Sequence, residues 1–311
     1  MTPAIELDAA IASEPMPAGT PFGSDLVLVE HLRRGRDLDV YDAWSQARGT
    51  SVVVKMVRPD RRGRVRTVAR LVREGEMLAR LTHPHIVRCY ETCMAPLPAL
   101  VLETLGGRTL SALLDDEELT APEIAFLGLH LAAAVRYLHR HDVLHLDLKP
   151  SNVIETGGRA ILLDLSVARS PGHAPPGVGT WGYQAPEQVT GGVLGPPADV
   201  WGLGVTLYEA ATGIPAFDDP LPDEESEGAS TGLSSTGSDW SSEPAGGWNR
   251  PAPQLIASPQ PLAELRSLPE PLVGLVTDCL HRDAARRPVV DDVLARLERI
   301  AGIPPAERRF T

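Results

Sequence analysis

HLDLKPSN, residues 145–152, sets an aspartate, a lysine and an asparagine at short fixed intervals: Asp147, Lys149 and Asn152. Together they offer a carboxylate, a compact cation and a carboxamide within one loop-sized stretch. A D-x-x-x-x-N spacing alone arises often by chance. Its weight depends on what the rest of the chain supplies and in what order.

Moving a phosphoryl group from a nucleotide asks little covalent chemistry of a protein. It asks for positioning, metal ions and charge neutralisation. The parts are a cation on the phosphates, a carboxylate orienting that cation, two metal ligands, and a carboxylate for the accepting hydroxyl. Lys55 ends the strand-like run SVVVK, where alternation can turn its ammonium toward a cleft. Glu74 lies in VRTVARLVREGEMLARL (65–81), a helical pattern with Val68, Leu71, Leu78 and Leu81 on one side. A carboxylate there stands on or beside an apolar face, and its plainest reading is a boundary residue reaching solvent. Asp164 follows the apolar run ILL in ILLDLS (161–166). The chain holds only two lysines, Lys55 and Lys149, among 29 basic residues.

Around these residues the chain changes texture. Residues 1–24 are rich in Pro, Ala and Gly and read as a disordered lead-in. Strand patterns follow at LVLVEHL, VYDAW, SVVVKMV, IVRCYET and PALVLET. After Gly106 and Gly107 the chain turns mostly helical. Thr120 with Glu123 is a capping-box signal, Pro122 lies in the first turn, and Gly213 closes an apolar helix. The expected domains are residues 25–105, rich in strands, and 106–301, rich in helices. The second contains a disordered acidic insertion over 218–260, and a tail follows at 302–311. Residues 218–249 carry eight acidic side chains and no basic one, most of the net charge of −12. The fold class is α+β with two lobes.

An acidic chain of 311 residues gives no global footprint for nucleic acid or an anionic membrane. No apolar run approaches the ~18 residues of a membrane span. Three scattered cysteines, Cys89, Cys93 and Cys279, suit a reducing compartment, so a cytoplasmic location is expected. His139, His141 and His145 lack partners at metal-ligand spacing and read as structural.

In order along the chain, VVVK (52–55), Glu74, VLET (101–104), HLDLKPSN, DLS (164–166), GTWGYQAPE (179–187), DVWGLG (199–204) and RDAARRP (282–288) resemble the eukaryotic-like, bacterial-type Ser/Thr protein kinases. The resemblance covers roughly residues 25–301. It implies a two-lobed protein kinase-like fold with a small β-rich N-lobe and a larger helical C-lobe, ATP and Mg2+ as cofactors, and a role in bacterial signalling. Lys55 would contact the α- and β-phosphates and pair with Glu74. Asp147 would orient the substrate hydroxyl and accept its proton, and Lys149 would neutralise the γ-phosphate. Asn152 and Asp164 would hold magnesium. Glu103 and Leu105 would offer backbone groups to adenine, with Leu102 beside it and Val40, Val53 and Ile154 around the ring. Glu187 would pair with Arg287, and Asp199 would brace the catalytic loop. Both lysines of the chain fall on family lysine positions, where arginine's planar, branched head is not equivalent to a compact ammonium.

Three positions depart from the pattern. The glycine-rich loop falls on RRGRDLDV (33–40) and keeps only Gly35, with Arg33 and Leu38 at the other glycine positions. Glycine lets backbone amides approach phosphate closely. Arg33, Arg34 and Arg36 read as solvated hairpin charges, or else as guanidinium donors to phosphate. DLS replaces D-F-G. Leu146 replaces the arginine that, in relatives, receives a phosphate on the activation segment. Activation-segment phosphorylation is therefore not expected to be the main switch. The expected function is transfer of the ATP γ-phosphate to Ser/Thr hydroxyls of protein substrates, with the stimulus arriving through a regulatory protein partner or ligand. The alternative is a pseudokinase, a nucleotide- or partner-binding scaffold.

Overall fold

In a computed structural model of the protein, described over residues 14–217 and 252–303, the chain divides into two compact units. The first spans residues up to Gly106 together with Asp164–Ser166; the second takes the remainder.

The first unit is built on a six-stranded antiparallel sheet. Its strands are β1 (Pro21–Phe22), β2 (Leu26–Arg34), β3 (Leu38–Ser45), β4 (Thr50–Val57), β5 (Cys89–Cys93) and β6 (Ala99–Glu103), in the order β1-β2-β3-β4-β6-β5. Strict alternation along β3, β4 and β6 separates two faces. Tyr41, Ala43, Val52, Val54, Met56, Ala99 and Val101 join one apolar core. Their neighbours Val40, Val53, Lys55 and Leu102 lie on the opposite face, where Val40 is the cross-strand partner of Lys55 and Val53 that of Leu102. Helix α1 (Val65–Leu78) packs on β4, β5 and β6.

The disordered lead-in expected over 1–24 is corrected from residue 14 onward; residues 1–13 lie outside the described residues. Met16 and Phe22 are buried in the sheet core, β1 pairs with β2, and the Met16 amide donates to the Tyr41 hydroxyl at 2.8 Å. The reason is that this sheet face needs an apolar cover, and two large side chains in a Pro/Gly-rich stretch provide it.

The second unit holds strand β7 (Arg108–Thr109), helices α2 (Leu110–Leu114) and α3 (Ala121–Arg140), and strands β8 (Val153–Thr156) and β9 (Arg159–Leu162). It continues with β10 (Gly172–Ala174), α4 (Pro186–Thr190), β11 (Gly192–Leu194) and α5 (Pro196–Thr212). Four helices close it: α6 (Pro253–Ile256), α7 (Leu262–Leu265), α8 (Glu270–Cys279) and α9 (Val290–Ile300). The Thr120–Glu123 capping box forms in both directions at the start of α3. Gly213 ends α5 in the left-handed conformation, φ +72°. Helix α3 packs against α5 and α9, and α8 against α5.

Residues 218–251 of the expected acidic insertion lie outside the described residues. Its end, 252–260, is corrected to ordered chain. Ala252 and Gln254 are buried, α6 forms, and the Tyr208 hydroxyl donates to the Gln260 carbonyl at 2.9 Å. Acidic, Ser/Gly-rich composition stops at Asn249, and the apolar residues beyond it have a core to join.

Candidate active site

Within the first unit, Lys55 points from β4 to Glu74 on α1. Its Nζ lies 2.9 Å from both carboxylate oxygens of Glu74 and 3.1 Å from Oδ1 of Asp164. The boundary reading of Glu74 is corrected, since the residue is only 1% exposed. Burial is tolerable because Lys55 and the Leu165 amide, at 3.2 Å, satisfy the carboxylate. Gly75 permits the approach. A Cβ there would sit 2.7 Å from a Leu100 methyl and closer still to the Thr92 hydroxyl, so a larger residue would hold α1 off the sheet.

The three charges perturb one another. Burial alone would lower the Lys55 pKa, but the Asp164 and Glu74 carboxylates outweigh it and raise it. Burial pushes Glu74 up to about 7, against the pull of Lys55. Asp164 is only half-buried; desolvation pushes it up as well, yet Lys55 and the bonds from Ser166 hold it well below the usual carboxylate range. Asp164 has φ +52°, and its Oδ1 accepts the Ser166 amide at 2.9 Å.

Val40, Val53 and Leu102 are half-buried on the sheet face that carries Lys55, and Leu105 is half-buried just past β6. The Glu103 amide donates to the Arg88 carbonyl at 3.0 Å. Gly35 opens the turn between β2 and β3, its amide bonded to the Leu38 carbonyl at 2.7 Å. This hairpin is braced. The Arg58 guanidinium donates to the carbonyls of Gly35 and Arg36 at 3.2 and 3.1 Å. Buried Asp37 accepts from Thr67 on α1 at 3.0 Å and pairs with Arg64 at 3.1 Å. Arg34 makes a two-pronged bond to buried Asp39, both contacts 2.8 Å, so this arginine is committed to the hairpin itself.

Within the second unit, Asp147 is held on all sides. Asn152 Nδ2 donates to its Oδ2 and to its backbone carbonyl, each at 2.9 Å, and Lys149 Nζ lies 3.1 Å from Oδ2. Oδ1 accepts the Thr180 amide at 2.8 Å and the Thr180 hydroxyl at 2.6 Å. Lys149 also donates to the Thr180 hydroxyl. Asn152 donates its Nδ2 to Asp147, so its Oδ1 remains the oxygen suited to a hard cation.

The loop itself hangs on Asp199 from α5. Its oxygens accept the His145 amide at 2.9 Å and the Leu146 amide at 2.7 Å, and lie 2.8 Å from His139 Nε2. Burial would raise the Asp199 pKa, but His139, the His145 ring and the Leu146 amide bring it down. Glu187 and Arg287 form the expected pair, with N–O distances of 2.6 and 2.9 Å. Ile154 is half-buried on β8. Among the described residues no cluster of three metal-ligating side chains occurs: His141 bonds the Tyr137 carbonyl and His145 that of Leu163. No helix among them is long and apolar enough to cross a membrane.

Sequence reasoning missed Gln188, whose side chain donates to the carbonyls of Leu146 and Val178, and the spacing role of Gly75. A glycine inside a helical pattern was a signal for the second. For the first nothing local distinguished a buried glutamine from an exposed one.

Comparison with known proteins agrees with this geometry. The model of the protein kinase domain family matches residues 26–297. The serine/threonine-protein kinase PkaA of Streptomyces coelicolor is 31% identical over 303 residues, covering 90% of this chain and 51% of that protein. The serine/threonine-protein kinase PknB of Mycolicibacterium smegmatis is 33% identical over 186 residues, 55% of this chain and 30% of that one. PknD of Mycobacterium tuberculosis is 33% identical over 207 residues, 64% and 31% of the two chains. The chain thus spans about half the length of the first of these relatives and under a third of the other two. A chain that sets a buried lysine–glutamate pair beside one aspartate, holds a second aspartate with a threonine, and matches the family over most of its length belongs to the protein kinase family in its bacterial Ser/Thr form.

Proposed function

We propose that this chain is an active Ser/Thr protein kinase domain that transfers the γ-phosphate of ATP to hydroxyls of protein substrates. The observation that supports it most is the state of Asp147, whose two carboxylate oxygens are held by Asn152, Lys149 and Thr180. A carboxylate so oriented can receive the proton of an incoming hydroxyl. Lys55, kept charged and aimed by Glu74, binds the α- and β-phosphates. Lys149 offsets charge on the transferred group. The oxygen donors of Asp164 and Asn152 suit Mg2+, which when bound screens the phosphate oxygens. In the first unit Val40, Val53 and Leu102 offer apolar surface for adenine, and Glu103 and Leu105 backbone polar groups; in the second unit Ile154 offers apolar surface. The reading extends to a cytoplasmic setting, a regulatory protein partner, and a switch other than activation-segment phosphorylation, since Leu146 brings no positive charge.

The second reading, a nucleotide- or partner-binding pseudokinase, is favoured by the glycine-poor hairpin around Gly35. Incubation with γ-labelled ATP, magnesium and a generic basic protein decides between them. Label that disappears in Asp147→Asn supports the kinase. A wild-type chain that binds nucleotide and transfers no label, alone or with cell extract, overturns it.

A further inference from the structure

We propose that Gln188 is a positioning residue that holds the activation segment on the catalytic loop without a phosphate; the proposal rests on the kinase reading above. Gln188 is 2% exposed. Its Nε2 donates to the carbonyl of Leu146, beside Asp147, at 2.8 Å and to the carbonyl of Val178 at 2.9 Å. Its Oε1 accepts the Ala185 amide at 3.0 Å, and its own carbonyl accepts the Gly177 amide at 2.8 Å. One carboxamide thus spends both of its N–H groups tying the two segments together.

The surroundings are shaped to this bridge. Gly179 has φ +99°, and a Cβ there would strike the Leu146 carbonyl oxygen and crowd Gln188 Nε2 at 3.0 Å. Buried Gln184 fastens the Gly179 carbonyl at 3.1 Å. The next residue, Thr180, is the one that grips the Asp147 carboxylate. Leu146 itself sits at φ +64°, an unfavourable region for a side chain with a Cβ. It is held there from both sides, by Asp199 on its amide and Gln188 on its carbonyl. The Leu146 side chain is buried and uncharged, so a neutral amide performs the tethering.

Two variants of the full chain test this. Gln188→Met fills similar space with no donor; Gln188→Glu keeps the shape but, when ionised, faces two carbonyls with a negative oxygen. Hydrogen exchange over residues 177–185, measured without nucleotide, should speed up about tenfold or more in both, since two buried bonds are lost. The kcat for protein substrate should fall about tenfold to a hundredfold while the KM for ATP stays within about twofold. In Gln188→Glu the deficit should shrink as pH falls, because a protonated carboxyl regains one donor. Exchange and kcat at wild-type levels in both variants would overturn the proposal. A uniform loss of folding in both would do so too, because it would reduce Gln188 to a core residue. If the wild-type chain transfers no phosphate, the kinase reading fails while the exchange measurement still decides the tether.

Discussion

Replacing Lys55 with methionine removes the cation from a site that keeps two carboxylates. The Glu74 side chain is 1% exposed and loses two contacts of 2.9 Å; Asp164, whose side chain is 35% exposed, loses one of 3.1 Å. Breaking a buried pair by deleting one partner costs about 3–5 kcal/mol. Asp164 contributes little of this because water screens it, so most of the loss falls on Glu74. Glu74 can escape by taking up a proton, and its pKa already stands at about 7. Without Lys55 it rises further. A folded-state pKa raised above the unfolded value means stability is present at low pH and lost as pH rises through the folded value. Lys55→Met should therefore destabilise by about 3 kcal/mol at pH 8 and by about 1–2 kcal/mol less near pH 5.5. Asp164 leaves this gap unchanged: Lys55 depresses its pKa, so the stability it brings is lost only as pH falls below its ordinary value of about 3.8, outside this window. Urea denaturation of both proteins at the two pH values measures the gap. A gap that is constant with pH, or widens toward acid, would refute the coupling between Lys55 and Glu74.

Wild-type stability should itself decline between about pH 4.5 and 7 from the Glu74 contribution, and Glu74→Gln should flatten that slope in thermal melts. Gly75→Ala should cost about 1–3 kcal/mol by overpacking against Leu100 and Thr92, and should lower phosphotransfer because α1 carries Glu74. Arg287→Met should cost about 3–5 kcal/mol in denaturant titrations, since it strands Glu187 and frees the carbonyls of Pro197 and His281. Asp147→Asn should leave the melting temperature within a few degrees while reducing kcat by about 10²- to 10⁴-fold.

What the sequence displayed most clearly was whatever is local in the chain. Asp147, Lys149 and Asn152 lie within six residues, so their meeting follows from one loop. The Thr120–Glu123 box and the Gly213 stop are local too, and both form as expected. Lys55, Glu74 and Asp164 were nameable only through family order, because 109 residues separate the ends of that set. Periodicity alone put Glu74 at a solvent boundary. It cannot see the lysine across the sheet that makes burial tolerable. The same limit hid Met16 and Phe22, whose cover of the sheet depends on a face that no lead-in sequence reveals. It also hid Asp37, whose partner Thr67 lies thirty residues on.

Two of the three departures from the family pattern now have a common physical form. In the first unit a glycine-poor hairpin is braced from beneath by Asp37 and Arg58. In the second a leucine-bearing catalytic loop is tied to its activation segment by Gln188. On the reading proposed above, each site is held by bonds already present in the unmodified chain. A neutral amide bridge needs no added charge to form, whereas a phosphate–arginine link exists only after modification. The expected consequence is activity as synthesised. Exhaustive phosphatase treatment should change kcat by less than about twofold, since it removes no group that makes a structural bond. Mass spectrometry would confirm that residues 164–187 carry no phosphate in the treated sample. A tenfold drop in kcat, restored by incubation with ATP, would show that a phosphate does work the Gln188 bridge does not, and that Leu146 has not removed the switch.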